Sequence, residues 1–204
     1  KIVIAQPRLL IIAVRSKVLK CLVVAAHAPH TGATQEEIET FWQNASLQIP
    51  SRFETWPKLL LTDANCRVGG QPDGRIGDWQ NEGMNDKSQP FVDFLAVHNI
   101  FLPSTFESCH SGPGGTWMHH DGSWKRNDYV GVDCSLPLKK CSTWIPDDID
   151  FSMQKEDHRP LFAELAWEQA TEIQLHRQKR PKLQTDDLDI DRLHAELTQC
   201  IPPF

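Results

Sequence analysis

No apolar run in this sequence is long enough to cross a membrane. The longest, Leu9 to Val14 and Leu22 to Ala26, are broken by Arg15, Lys17 and Lys20 and fall far short of the roughly 20 residues that a span needs. There is no CxxC pair either. The six cysteines, at 21, 66, 109, 134, 141 and 200, lie far apart, which excludes a zinc ribbon and a dense disulfide framework and reads as reduced, buried thiols. A starting Met, a signal-peptide h-region with its cleavage site and an Arg/Ser-rich presequence are all missing, so the expectation is an uncleaved, truncated, intracellular chain, cytoplasmic or nuclear. No internal repeat is present. The last shortage is acid at the start: the first 35 residues hold Lys1, Arg8, Arg15, Lys17 and Lys20 and no carboxylate before Glu36. The whole chain is -6, so the other 169 residues carry -11. Binding of polyanions by bulk charge is therefore excluded, and such a ligand would need a local basic groove or metal ions.

The 204 residues are 40% hydrophobic and 24% charged, which suits one globular domain, over 1–168, with a polar linker or helical tail over 169–204. Arg8 to Arg15 and Val18 to Ala26 are β-branched runs separated by Ser16-Lys17 and read as a hairpin that opens the fold. Thr34 and Glu37 make a capping box, and Ile38, Phe41, Trp42, Ala45 and Ile49 recur at helical spacing up to Pro50. Lys58 to Thr62 is a short buried-strand pattern, glycines at 69, 70, 74 and 77 mark a loop, and a second helix is expected from about Gln89 to His98. Short strands are expected near 100–102, 116–118, 129–132, 142–151 and 161–167. Alternating helices and strands argue an α/β or α+β sandwich with its chemistry on strand-end loops. Past Trp167 the pattern turns basic at 176–182 and acidic at 186–191.

Four polar clusters stand at the ends of apolar runs: His27 with Pro29; Asp63-Ala-Asn65; Arg126-Asn-Asp128-Tyr129; and Asp157-His158-Arg159-Pro160. Strand ends bring side chains to one sheet edge, where two carboxylates and two histidines supply a hard-cation ligand, a group that activates water, and an acid or base near neutral pH. Taken singly, each has an ordinary explanation as a turn or a satisfied imidazole.

Taken in order, they carry a resemblance. His27-Ala-Pro29, then Asp63-x-Asn65-x-x-Val68-Gly69, then Thr105-Phe106 and Thr116-Trp117, then Arg126-x-Asp128-Tyr129-Val130, then Asp157-His158-Arg159-Pro160-Leu161 resemble the endonuclease/exonuclease/phosphatase superfamily over residues 8 to 167. The resemblance implies a four-layered α/β sandwich missing its first strands, and phosphoester hydrolysis with Mg²⁺ or Mn²⁺. It implies that His27 contacts the scissile phosphate, Asp63 orients or deprotonates the attacking water, Asn65 steadies the phosphoryl oxygens, Asp128 hydrogen-bonds the catalytic His158, and Asp157 is a metal ligand. Glu156 stands where the family has Ser, and Thr62 where it has Gly. The family also opens with a strand bearing an Asn and a strand end bearing a metal-binding Glu, which residues 1–35 do not contain.

The basic segment and the acidic, Leu-containing stretch after it are similar to the region downstream of the endonuclease domain in non-LTR retrotransposon polyproteins. The expected substrate is thus nucleic acid, DNA first, cut by a retroelement-type endonuclease; the alternatives are a phosphatase for phosphoinositides or other small phosphoesters, and an inactive fragment. Trp117 and Trp124 are candidate stacking surfaces for bases. His119 and His120 read as a solvated turn, and Asn44-Ala-Ser46 as a chance sequon inside a helix.

Overall fold

In a computed structural model, residues 1–17, 19–71, 73–146 and 157–167 are described. The expected tail over 169–204, with its charge runs, lies outside them. Eleven strands and two helices succeed one another as β1 (Ile2–Gln6), β2 (Leu9–Arg15), β3 (Lys20–His27), α1 (Gln35–Leu47), β4 (Lys58–Asp63), α2 (Gln89–Val97), β5 (Ile100–Phe101), β6 (His110–Ser111), β7 (Trp117–Met118), β8 (Trp124–Lys125), β9 (Asp128–Asp133), β10 (Leu138–Trp144) and β11 (Phe162–Trp167).

Six of these strands make one mixed sheet in the order β1-β2-β3-β4-β9-β5, and β11-β10-β6 make a second; β7 and β8 form a small hairpin. The expected hairpin is β2 and β3, antiparallel from Leu9↔Ala26 to Arg15↔Lys20. It does not open the fold. Ile2–Gln6 adds a strand before it, antiparallel to β2 and bulged between Ile2 and Ile4, where no alternation or turn glycine marks it. The strand expected over 142–151 begins earlier, at Leu138, and the described part ends at Trp144.

The helices cover one face of the large sheet. The Thr34–Glu37 capping box closes the first turn of α1, which buries Ile38, Trp42 and Ala45; α2 buries Phe91, Phe94 and Leu95. The Trp42 ring lies 4.7 Å from Phe91 and 5.0 Å from Phe94, over a floor of Leu9, Ile11, Leu22, Val24 and Leu60. Each such buried side chain is worth about 1.5–3 kcal/mol of transfer free energy. Gly131 lets the sheet close here, since a Cβ would stand 2.6 Å from Ile100 Cγ2 and 3.0 Å from Leu60 Cβ.

Strand alternation sends Leu10, Ile12, Val23, Leu59 and Leu61 to the other face. The first four are half-buried, and Leu61 is exposed, at 47%. The thiols only partly meet expectation: Cys21 and Cys66 are buried, Cys109 and Cys141 half-buried and Cys134 exposed, all of them free. Cys134 comes directly after the last residue of β9, which places it on the turn rather than in the core. No helix among the described residues is long and apolar enough to cross a membrane.

Candidate active site

Register builds the site. His27 pairs with Asp63 across the parallel β3–β4 ladder, and Asp63 with Asp128 across the antiparallel β4–β9 ladder, so the three ends of adjacent strands form one row. Their parity is that of Leu61, which puts them on the face the helices leave open. The His158 imidazole completes the group: Nδ1 lies 2.9 Å from Asp128 Oδ2. An ionised carboxylate only accepts, so Nδ1 carries the proton and donates, leaving Nε2 for a ligand. Ligand atoms of Asp63, Asp128 and His158 all lie within 4.8 Å of one another, and His27 Nε2 is 3.7 Å from Asp63 Oδ2.

The charges of this group shape each other. The hydrogen bond to Asp128 holds the His158 pKa above the ordinary histidine value, against partial burial. Burial, then the neighbouring charge of Asp128, holds Asp63 above the usual carboxylate range. Two carboxylates that repel in a half-buried row have the donor chemistry of a divalent-cation site, hard oxygens that share the positive charge.

Around the row, backbone bonds fix the side chains. Asn65 adopts φ +49°, the left-handed region that Asn tolerates, and its N–H donates to Asp63 Oδ1 at 2.9 Å. Its amide nitrogen donates to the Ala28 carbonyl at 2.9 Å, which also accepts from the Arg8 guanidinium at 3.1 Å. Ala28 N–H in turn donates to the Asp63 carbonyl at 2.9 Å. On the other side the buried Thr116 hydroxyl accepts from the N–H groups of Asn127 and Asp128, at 3.1 and 3.0 Å. Residues 157–159 lie along β7: Met118 N–H donates to the Asp157 carbonyl, and Arg159 N–H to the Thr116 carbonyl.

Of the six expected residues, Asp63, Asp128 and His158 are brought together, with His27 beside Asp63 and Asn65 tying the adjacent loop. Asp157 stands apart from that group, its Oδ2 accepting from the Trp117 indole at 2.9 Å. Arg8 and Thr116 are positioning residues to which the sequence assigned no role at the site. Thr116 belongs to the Thr-Trp motif, but nothing in the local pattern of Arg8 signals that it reaches Ala28.

The group opens into a cavity of about 500 Å³, lined also by Leu61, Val130, Arg159 and Leu161. A larger groove, about 660 Å³, runs between α1 and α2 over Trp42, Leu47, Phe94 and Val97. Among the described residues it gathers no cluster of three ligating side chains, so chemistry rather than size selects the smaller one.

A solved structure with this arrangement of elements is a 3'-5' exonuclease from Neisseria meningitidis, matched with a TM-score of 0.53 and 18% identity over 79% of this chain and 66% of that one. This chain shares the fold of that exonuclease. Two further structures match more loosely. One is an endonuclease/exonuclease/phosphatase family protein from Bacteroides thetaiotaomicron, at TM-score 0.49 and 17% identity over 74% of this chain and 51% of that one. The other is the endonuclease domain of TRAS1, a telomere-specific non-LTR retrotransposon, at TM-score 0.48 and 9% identity over 78% and 63%. This chain thus spans between about half and two thirds of these structures. No family model and no curated protein matches the sequence.

Proposed function

We propose that this chain hydrolyses phosphodiesters of nucleic acid with a divalent cation, as a DNA endonuclease of retroelement type. The observation that carries the reading is the convergence of Asp63, Asp128 and His158 at the ends of separate segments, with His27 beside them. Asp63, held above the carboxylate range, is the base that orients and deprotonates the attacking water. His158, kept cationic by Asp128, faces the phosphoryl oxygens through Nε2 and compensates their developing charge. His27 contacts the same phosphate, and Asn65 offers it the amide N–H that Ala28 does not use. The cation, Mg²⁺ or Mn²⁺, would be held by the carboxylates of Asp63 and Asp128 and by Asp157, the metal ligand that the family resemblance implies. When bound, it supplies Lewis-acid stabilisation of the phosphoryl oxygens. The retroelement assignment is supported by the charge pattern of 176–191 alone.

Incubating the chain with supercoiled plasmid and Mg²⁺ or Mn²⁺ tests this, with EDTA and an Asp157→Ala His158→Ala variant as controls and an inositol polyphosphate in parallel. The expected result is metal-dependent nicking that the variant loses. Phosphate release from the inositol substrate without nicking would overturn the substrate assignment, and inertness toward both would overturn the activity.

A further inference from the structure

Besides Arg8, which is spent on the Ala28 carbonyl, two arginines lie near the site and are used differently. Arg126 is buried; its Nε donates to the Gly114 carbonyl at 3.0 Å and one terminal nitrogen to the Trp79 carbonyl at 3.2 Å, so it is part of the framework. Arg159 is half-buried and lines the same 500 Å³ cavity as Asp63, Asp128 and His158. Its guanidinium carbon sits 3.5 Å from the centre of the Trp124 ring. Stacking of this kind fixes the plane of the guanidinium and leaves its N–H groups, which point outward in that plane, unspent. Among the described residues no carboxylate or carbonyl takes them. Asp157, the nearest acid along the chain, bonds Trp117 instead. The backbone of Arg159 is pinned by its N–H to the Thr116 carbonyl, so the side chain leaves from a fixed point one residue from His158.

We infer that Arg159, held against the face of Trp124, is a second phosphate-binding position next to the reacting one. The fork of a guanidinium matches a phosphate bidentately, and a stacked, unpaired one loses little freedom in binding. The substrate class is then a strand in which the scissile phosphate has a neighbouring phosphate, rather than an isolated phosphoester. This rests on the phosphodiesterase reading above.

Two measurements test it. The first is binding of a fluorescein-labelled single-stranded oligonucleotide in EDTA, by anisotropy across a salt series. Arg159→Gln is expected to bind about tenfold more weakly and to flatten the slope of log K against log salt by about 0.7, one single-strand phosphate contact. Arg159→Lys restores the slope, because charge returns without the stack, while Trp124→Leu weakens binding with the arginine still present. The second compares cleavage of a dinucleoside monophosphate with the same compound bearing a terminal phosphate. The unaltered chain favours the second by about tenfold, the same charge-assisted contact, and Arg159→Gln levels that ratio. An Arg159→Gln chain with an unchanged melting curve, an unchanged salt slope and an unchanged ratio overturns the inference. Loss of slope in Arg159→Gln alongside an unaltered chain that cleaves neither compound upholds this phosphate position and removes the phosphodiesterase reading instead.

Discussion

The two faces of the six-stranded sheet have been given different work. Beneath the helices, Ile11, Leu22, Val24 and Leu60 are sealed by Trp42, Phe91 and Phe94. On the opposite face the neighbouring positions, Leu10, Ile12, Val23 and Leu59, stay half-open, and the row they lead to ends in His27, Asp63 and Asp128. One face stores stability; the other keeps room for a ligand. Function is therefore separable from folding in this molecule, although the same strands supply both.

Substitutions can break that separation or sharpen it. The largest effect is expected from His158→Ala, which should lower nicking about 10²–10⁴-fold while melting stays near that of the unaltered chain. Trp42→Ala does the reverse, costing about 3–5 kcal/mol in denaturant unfolding; equal losses of stability for both variants would show that the faces are not separate. Thr116→Val crosses the divide, because it strands the N–H groups of Asn127 and Asp128. About 1–3 kcal/mol of stability is expected to go, together with activity, as Asp128 loses its anchor. Smallest is the pH dependence. The folded pKa of His158 is raised above about 6.5, so its pairing stabilises fully below that value and the contribution fades as pH rises through the folded pKa. Melting of the unaltered chain should fall slightly across that window and that of His158→Asn should not. Nicking should fall on the alkaline side as pH passes the folded pKa of His158, which lies above the ordinary histidine value.

Local rules made much of this legible. The capping box and the 3.6-residue rhythm marked α1, and β-branched runs marked β2 and β3. Polar residues at the ends of such runs marked His27, Asp63 and Asp128, because strand ends carry chemistry wherever the neighbouring strands agree in register. What stayed hidden depends on partners distant in sequence. Ile2–Gln6 is a strand only because β2 offers it an edge. Nothing in the sequence around Arg126 signals that its guanidinium meets the Gly114 and Trp79 carbonyls. The Trp117–Asp157 bond spans 40 residues, and no periodicity encodes a contact of that range.

The Ala28 carbonyl bears on motion. Arg8 reaches it from the β1–β2 turn and Asn65 from the loop after β4, while Ala28 N–H holds the end of β4 itself. Three chain segments are riveted at one residue. Opening any one of them alone would break bonds to the others, so this corner has no independent hinge. Amide exchange at Ala28 and Asn65 should then proceed at one common rate, that of the sheet, and ligands would meet a mould already set rather than one that closes around them.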